Sequence, residues 1–213
     1  GLDLGYCARV GEVDVRLSAR GTDAENKVAA GEKIIRALLE KEIFGTEDDS
    51  LEGTVVKLLA AKKKTLALAE SCTGGFLAHR ITNVAGASEV FKGGLVTYSN
   101  EAKQRLLKVR AETLAQHGAV SESVAREMAE AARTTNQTNF ALAITGIAGP
   151  TGGSDEKPVG TVFIALATPE KTIVLKEINR YDRETFKFIT SQQALDLLRR
   201  ELTQRRQDTK AQT

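Results

Sequence analysis

The sequence predicts an α/β protein whose mixed β-sheet is covered by helices on both faces, preceded by a small α+β segment. Amphipathic helical segments alternate with continuous apolar runs of strand length, which is typical of a sheet buried on both faces. Residues 159–168 and 172–178 are two such runs with a short connection, so they are predicted to form a hairpin that makes the sheet mixed. The chain of 213 residues is long enough for one or two domains.

Residues 1–50 are predicted to form a first, small domain. Residues 4–8 and 13–19 have strand character, and the second of these alternates apolar with polar side chains as a half-buried strand does. Residues 24–42 carry apolar side chains at helical spacing, which predicts an amphipathic helix. The polar segment 45–50 is the best candidate for a linker to the rest of the chain.

A larger domain is predicted over residues 51–206, and the polar residues 207–213 are expected to form a frayed tail. The apolar pattern predicts the following elements in chain order: a helix at 51–62, a strand at 65–69, a helix from 76, a strand at 93–98, a short helix at 101–107, a helix at 121–134, strands at 141–145, 159–168 and 172–178, and a helix at 185–206. Polar side chains and glycines follow the first three strands, where α/β proteins bind ligands.

Composition argues against several function classes. The 30 basic and 28 acidic residues nearly cancel, so nucleic acid is not expected as a partner. Cys7 and Cys72 lie far apart in the chain, which predicts no disulfide framework and a cytoplasmic location. His79 and His117 lack the spacing of metal ligands, so no metal or other cofactor is expected. No apolar run is long enough to span a membrane, and no membrane partner is expected.

The first polar cluster lies in a predicted turn between a buried strand and a helix. Ser71, Cys72 and Thr73 are followed there by Gly74 and Gly75. A nucleophile at this position would lie beside the unpaired N–H groups of a helix N-terminus, which can stabilise an oxyanion. The residues alone leave Ser71 and Cys72 open as the nucleophile, because a thiol at a helix N-terminus is also activated. The alternative is that Ser71 or Thr73 only caps the helix.

A second cluster follows the predicted strand 93–98. Asn100 is predicted to cap the next helix, which places Lys103 in its first turn. The helix dipole and burial would both lower the pKa of that lysine and make it usable as a base. Tyr98 could donate a hydrogen bond to a ligand or stack on a ring. The alternatives are that Lys103 is a solvated surface lysine and that Tyr98 is a half-buried aromatic side chain of the strand.

A third cluster is the glycine-rich loop at residues 145–154, directly after a buried strand. Its glycines would let backbone N–H groups approach an anion closely, although the loop matches neither the dinucleotide-binding nor the P-loop pattern. A flexible loop without a ligand is the alternative. Arg180 and Arg183 precede the last helix, and either could pair with a phosphate or form a surface ion pair.

Taken together, these clusters resemble the CinA C-terminal domain family, the PncC-type nicotinamide-nucleotide amidohydrolases. The resemblance covers about residues 51–205 and is carried by residues 69–75, 96–103, 118–121, 145–150 and 157–161. Residues 1–50 resemble the KH-type middle segment of CinA proteins. They contain no GXXG loop, so a scaffold role is expected rather than nucleic-acid binding. The resemblance also implies a further amino-terminal CinA domain that is absent from this chain.

The resemblance implies hydrolysis of nicotinamide mononucleotide to nicotinic acid mononucleotide and ammonia, without a cofactor. Ser71 would be the nucleophile and Lys103 the general base of a Ser-Lys dyad that forms an acyl-enzyme. The N–H groups of the turn Cys72–Gly75 would hold the oxyanion, with Cys72 contributing packing or a backbone N–H rather than a nucleophilic thiol.

Substrate-binding positions and the assembly are also implied by the resemblance. Tyr98, Thr145, Gly146 and Gly149 match family positions near the substrate, and Arg183 matches the arginine expected to bind its phosphate. The glycine that usually precedes this arginine by two positions is Tyr181 here, so the choice between the two nearby arginines stays open. A homodimer is expected. The alternative function is a non-catalytic nucleotide-binding or regulatory module of a CinA protein.

Overall fold

A computed structural model describes residues 1–203, which divide into two compact units, Gly1–Asp49 and a second unit that begins at Ser50. The predicted tail at 207–213 and the predicted end of the last helix at 206 lie outside the described residues. Among the helices of residues 1–203, none combines the length and the apolar character needed to span a membrane.

The first unit is an antiparallel hairpin packed against one helix. Strands β1 (Leu2–Arg9) and β2 (Glu12–Ala19) pair along their whole length, and helix α1 covers Ala24–Leu39. Gly31 of α1 allows close contact with the hairpin, because a Cβ there would lie 2.5 Å from Leu2 Cδ2. The helix ends three residues earlier than predicted. The KH-type relationship of this unit stays a prediction.

The second unit contains a five-stranded sheet and seven described helices. The strands are β3 (Leu66–Glu70), β4 (Phe91–Val96), β5 (Phe140–Gly146), β6 (Thr161–Ala167) and β7 (Thr172–Ile178). The helices are α2 (Leu51–Ala61), α3 (Phe76–Thr82), α4 (Ala87–Val90), α5 (Asn100–Leu107), α6 (Ala111–His117), α7 (Glu122–Thr135) and α8 (Arg183–Thr203). The short helices α4 and α6 were not predicted.

The sheet is mixed, as the sequence predicts. Its strand order is β4-β3-β5-β6-β7. The central strand β3 runs parallel to β4 and β5, whereas β6 runs antiparallel to β5 and β7 antiparallel to β6. The carboxyl ends of β3, β4 and β5 therefore meet at one edge, which brings the three polar clusters together there.

Helices cover both faces of the sheet, and the two faces differ in side-chain size. Helix α7 packs on a face formed largely by alanines of β3, β5 and β6, such as Ala69, Ala143 and Ala165. The alternate positions carry larger side chains, including Leu68 and Ile144, on the face toward α8. The alanines let α7 lie close to the strands, so the helix and the sheet are in close contact here.

Candidate active site

The first polar cluster forms a tight turn held between two strands. The Ser71 N–H donates to Ile144 O of β5 at 3.0 Å, and the Gly74 N–H donates back to Ser71 O at 3.1 Å. Gly74 and Gly75 have φ angles of 62° and 93°, a backbone region that favours glycine. The turn therefore fixes the Ser71 backbone at the end of the central strand, directly before helix α3.

Helix α5 presents Lys103 toward this turn. Its N-cap is Ser99, whose hydroxyl accepts the Ala102 N–H at 3.1 Å. The predicted cap, Asn100, is wrong by one residue and is instead the first residue of the helix. The shorter serine side chain takes the capping position because residue 99 has the extended backbone that a cap requires.

The Lys103 amine lies in a buried polar pocket with Ser71. Lys103 is 1% exposed, and its Nζ lies 3.0 Å from Ser71 Oγ. The carbonyl oxygens of Thr97 and Tyr98 lie 2.9 Å and 3.5 Å from the same nitrogen. Burial lowers the pKa of Lys103 because the charged form loses its hydration. The alternative of a solvated surface lysine is therefore excluded.

Cys72 is unsuited to act as the nucleophile in this environment. The residue is 6% exposed, and burial raises the pKa of its thiol to about 12. Its thiol would then be almost entirely protonated near neutral pH, and the thiolate is the reactive species. Lys103 Nζ hydrogen-bonds Ser71 Oγ, which favours the hydroxyl over the thiol.

Not every N–H group of the turn is available to a ligand. Those of Gly74 and Gly75 are used inside the protein, the second by the Glu70 carboxylate at 3.1 Å. Within the part of the chain that the structure describes, no other residue accepts the N–H groups of Cys72 and Thr73, and the Cys72 N–H contacts only its own thiol. Of the four N–H groups of Cys72–Gly75 that were predicted to hold an oxyanion, only those of Cys72 and Thr73 are therefore candidates.

Glu70 is a site residue that the sequence reasoning missed. It ends β3, is 1% exposed, and accepts N–H groups from Gly75, Leu77 and Ala78 at 3.1, 3.1 and 2.8 Å. The sequence does contain a signal for it, which is an acidic residue directly after an apolar strand. A carboxylate buried at such a position normally has several hydrogen-bond partners. Glu70 thus caps helix α3 from the strand side, a role that neither Ser71 nor Thr73 performs.

Arg183 joins the second and third clusters. Its guanidinium donates to Tyr98 Oη at 2.8 Å and to Gly149 O at 2.9 Å. Asp182 accepts the first N–H groups of α8 and so fixes the position of Arg183 at the start of that helix. Arg180 makes no comparable contact within residues 1–203. Tyr98 is 61% exposed, which leaves its ring face accessible to a ligand.

The glycine-rich loop is held by contacts within the protein. The Thr145 hydroxyl donates to Ala119 O at 2.8 Å, so Thr145 ties β5 to the loop before α7. Gly146 packs tightly, because a Cβ there would lie 2.8 Å from Thr161 O. Gly149 has φ 72° and offers its carbonyl to the arginine at the start of α8. The Thr145 hydroxyl is therefore already used as a donor inside the protein, and the substrate-binding roles of Thr145 and Gly146 stay predictions.

The assembled site has the parts that acyl transfer requires. It combines a hydroxyl beside a buried amine, two N–H groups beside that hydroxyl, and an arginine beside an exposed aromatic ring. Among residues 1–203, no group of three or more His, Cys, Asp or Glu side chains is arranged to hold a metal ion.

Comparison with known proteins identifies the family. The model of the CinA C-terminal domain matches residues 48–202. The chain belongs to this family. A CinA-like protein of Geobacter sulfurreducens is 47% identical over 205 residues, which cover 95% of this chain and 50% of the relative. The chain spans about half the length of the curated relatives it matches.

Solved structures of the CinA superfamily share the fold. A superfamily protein from Klebsiella pneumoniae has a TM-score of 0.69 and 38% identity, covering 71% of this chain and 95% of that one. The competence/damage inducible protein CihA from Agrobacterium tumefaciens has a TM-score of 0.68 and 36% identity, covering 75% of this chain and 100% of that one. These names state no reaction.

Proposed function

We propose that this protein hydrolyses the carboxamide of nicotinamide mononucleotide, giving nicotinic acid mononucleotide and ammonia. The observation that carries the proposal is the 3.0 Å contact between Ser71 Oγ and the buried Lys103 Nζ. A serine hydroxyl is a weak nucleophile until a base removes its proton, and a buried lysine is one of the groups that can do so.

The three oxygens around Lys103 Nζ also accommodate the neutral amine, which is the form that can act as a base. A neutral amine has two N–H donors and one lone pair. The two N–H groups can donate to Thr97 O and Tyr98 O, which directs the lone pair toward the hydroxyl of Ser71. The hydroxyl then donates its hydrogen bond to Nζ, which is the geometry needed for proton removal.

The reaction would proceed in two stages. Ser71 Oγ bonds to the carboxamide carbon while its proton passes to Lys103 Nζ, giving a tetrahedral oxyanion near the N–H groups of Cys72 and Thr73. Lys103 returns the proton to the amide nitrogen, the C–N bond breaks, and ammonia leaves an acyl-enzyme. Water, deprotonated by Lys103, attacks that ester and releases the acid and the free Ser71 hydroxyl.

The nicotinamide mononucleotide assignment rests on the resemblance and on two nearby groups. Nicotinamide mononucleotide has a cationic pyridinium ring and a phosphate. The exposed Tyr98 ring can bind the pyridinium through a cation–π contact. The planar guanidinium of Arg183 can donate hydrogen bonds to the phosphate. Gly149 O and Tyr98 Oη already orient that guanidinium.

Ammonia release from nicotinamide mononucleotide tests the proposal directly. The parent protein is compared with Ser71→Ala, Lys103→Ala and, as a matched control on the adjacent residue, Cys72→Ala. Loss of the nucleophile or the base is expected to lower kcat by at least about 10³-fold, because each acts in the bond-making step. The Cys72→Ala variant is expected to stay active, since its thiol is buried and protonated.

Two outcomes would contradict the proposal. Activity that survives in Ser71→Ala and is lost in Cys72→Ala would make the protein a thiol hydrolase. A parent protein that binds nicotinamide mononucleotide in calorimetry but releases no ammonia would instead support the alternative, a non-catalytic nucleotide-binding module.

A further inference from the structure

Glu70 is a buried charged group that the proposed reaction leaves without a task. We propose that Glu70 is the positioning residue of the active site, which sets the place of the Ser71 hydroxyl and decides which N–H groups face the substrate oxyanion. This inference rests on the proposed hydrolase function and extends it to a residue that touches neither substrate nor reacting atoms.

The Glu70 carboxylate binds the far end of the turn that carries Ser71. One oxygen accepts the N–H groups of Gly75 and Leu77, both at 3.1 Å, and the other accepts that of Ala78 at 2.8 Å. The four residues between Glu70 and Gly75 are thus closed into a loop that starts and ends on the same side chain. Such a closed loop restricts the backbone of Ser71.

The Glu70 backbone connects this loop to the strands on either side. Its register partners are Val96 on β4 and Ile144 on β5. Its carbonyl accepts the Thr97 N–H at 2.8 Å, and the carbonyl of Thr97 is in turn the nearer acceptor of the lysine amine. One residue therefore links the segment of the nucleophile to the segment that orients the base.

The carboxylate also occupies the positive end of helix α3. A helix N-terminus attracts anions through its unpaired N–H groups and its dipole. The Glu70 carboxylate takes the N–H groups of Gly75, Leu77 and Ala78. Backbone carbonyl oxygens of the turn take those of Gly74 and Phe76, so the oxyanion of the substrate is left with those of Cys72 and Thr73. These two belong to the residues directly after Ser71, where an attacked carbonyl oxygen would lie.

A matched control distinguishes positioning from general stabilisation. Glu127 on α7 is also a carboxylate with several partners, accepting the Arg110 N–H at 2.9 Å and the Thr113 hydroxyl at 2.7 Å. It hydrogen-bonds no residue of the Ser71 turn. Glu127 also pairs with the Arg110 guanidinium. Glu70→Gln and Glu127→Gln therefore each remove a carboxylate with several partners from the same unit, and only Glu70 contacts the turn.

The experiment compares both glutamine variants and Glu70→Asp with the parent protein. Thermal unfolding first identifies variants that fold. An amide offers one acceptor oxygen and turns N–H donors toward the N–H groups of α3, so Glu70→Gln is expected to lower kcat by about 10²-fold with KM changed less than about threefold. The side chain of Glu70→Asp is too short to reach the N–H groups of α3, so this variant is expected to show the same loss of kcat. Glu127→Gln is expected to keep the parent kcat.

A second measurement does not depend on the substrate. A fluorophosphonate reacts with an activated serine, forming a bond from Ser71 Oγ to phosphorus as fluoride leaves and the proton passes to Lys103. The labelling rate, followed by mass spectrometry, is expected to fall about 10²-fold in Glu70→Gln and to stay unchanged in Glu127→Gln. The inference would be overturned if both folded glutamine variants kept the labelling rate of the parent protein. It would also be overturned if both lost the same fraction of that rate.

The two proposals can fail separately. A parent protein that is labelled at Ser71 yet releases no ammonia from nicotinamide mononucleotide contradicts the proposed reaction, and the labelling rates still decide the role of Glu70. A parent protein that shows neither labelling nor hydrolysis overturns both, because no active nucleophile is then present to be positioned.

Discussion

At the scale of single residues, the site depends on an amine kept away from water. Lys103 lies almost fully buried with two carbonyl oxygens and one hydroxyl around its nitrogen. No carboxylate hydrogen-bonds this amine within residues 1–203, so the charged form has no ion-pair partner there to stabilise it. Burial consequently favours the neutral base and disfavours the ammonium ion.

The pH dependence of the reaction follows from this burial. Only neutral Lys103 can accept the Ser71 proton, so kcat/KM is expected to rise about tenfold per pH unit below the lysine pKa and to level off above it. Because burial lowers that pKa from its ordinary value of 10.5, the plateau is expected to begin at lower pH than for an exposed lysine. Initial rates of ammonia release from about pH 5 to about pH 11 measure the midpoint and the plateau.

A profile that falls with rising pH would contradict the assignment of Lys103 as base, and so would a midpoint at or above the ordinary lysine value. The Lys103→Arg variant serves as the control. A guanidinium stays charged across this range, so the variant is expected to show no rising limb of activity.

At the scale of elements, the alanine-lined face of the sheet determines how closely α7 approaches. Ala143 and Ala165 on neighbouring strands are fully buried beneath the helix, together with Met128 of α7. A larger side chain on a strand here has no space to enter, because α7 lies in close contact with the strands. On this alanine-lined face, substitutions that add side-chain volume are therefore expected to lower stability more than substitutions that remove it.

The substitution Ala143→Leu tests this packing. It is expected to destabilise the protein by about 1–3 kcal/mol, because the added side chain forces α7 away from the sheet or adopts a strained rotamer. Urea unfolding measures the change in the free energy of unfolding. Ala115→Leu on the exposed side of α6 adds the same volume at the surface and is expected to change stability little. Equal stability of the two variants would contradict the close packing of α7.

At the scale of the whole molecule, the two units differ in how much core they contain. All the fully buried apolar side chains of residues 1–203 lie between Leu51 and Leu202. In the first unit, the hairpin and α1 leave Tyr6, Val13 and Leu38 exposed. Two strands and one helix bury too little apolar surface to be stable by themselves, whereas the five-stranded unit has an ordinary core.

A chain that begins at Asp49 is therefore expected to fold and to retain the activity of the full chain. It keeps Ser50, which caps α2 by accepting the Gly53 N–H at 3.1 Å, and every candidate site residue. The measurements are cooperative thermal unfolding and kcat for ammonia release, with the 213-residue chain as control. A shortened chain that folds but loses kcat would show that the first unit contributes to the site.

The fold class and the segments that carry the chemistry follow from local patterns in the sequence. Apolar periodicity predicted the mixed sheet, and the close spacing of the last two strands predicted the antiparallel pair that the structure contains. The residues also placed the Ser71 turn and Lys103 after strands that proved to be neighbours. Local patterns suffice for these features because hydrophobic burial follows a period that can be recognised within one segment.

The tertiary contacts, in contrast, establish which side chains lie together and which N–H groups already have hydrogen-bond acceptors. The 3.0 Å contact of Ser71 with Lys103, the hydrogen bond from Arg183 to Tyr98 and the three N–H groups bound by Glu70 each depend on how strands and helices are placed relative to one another. The raised pKa of Cys72 likewise results from burial by groups distant in the chain. Such contacts depend on strand register and helix packing, because a shift of one residue turns every side chain of a strand to the opposite face.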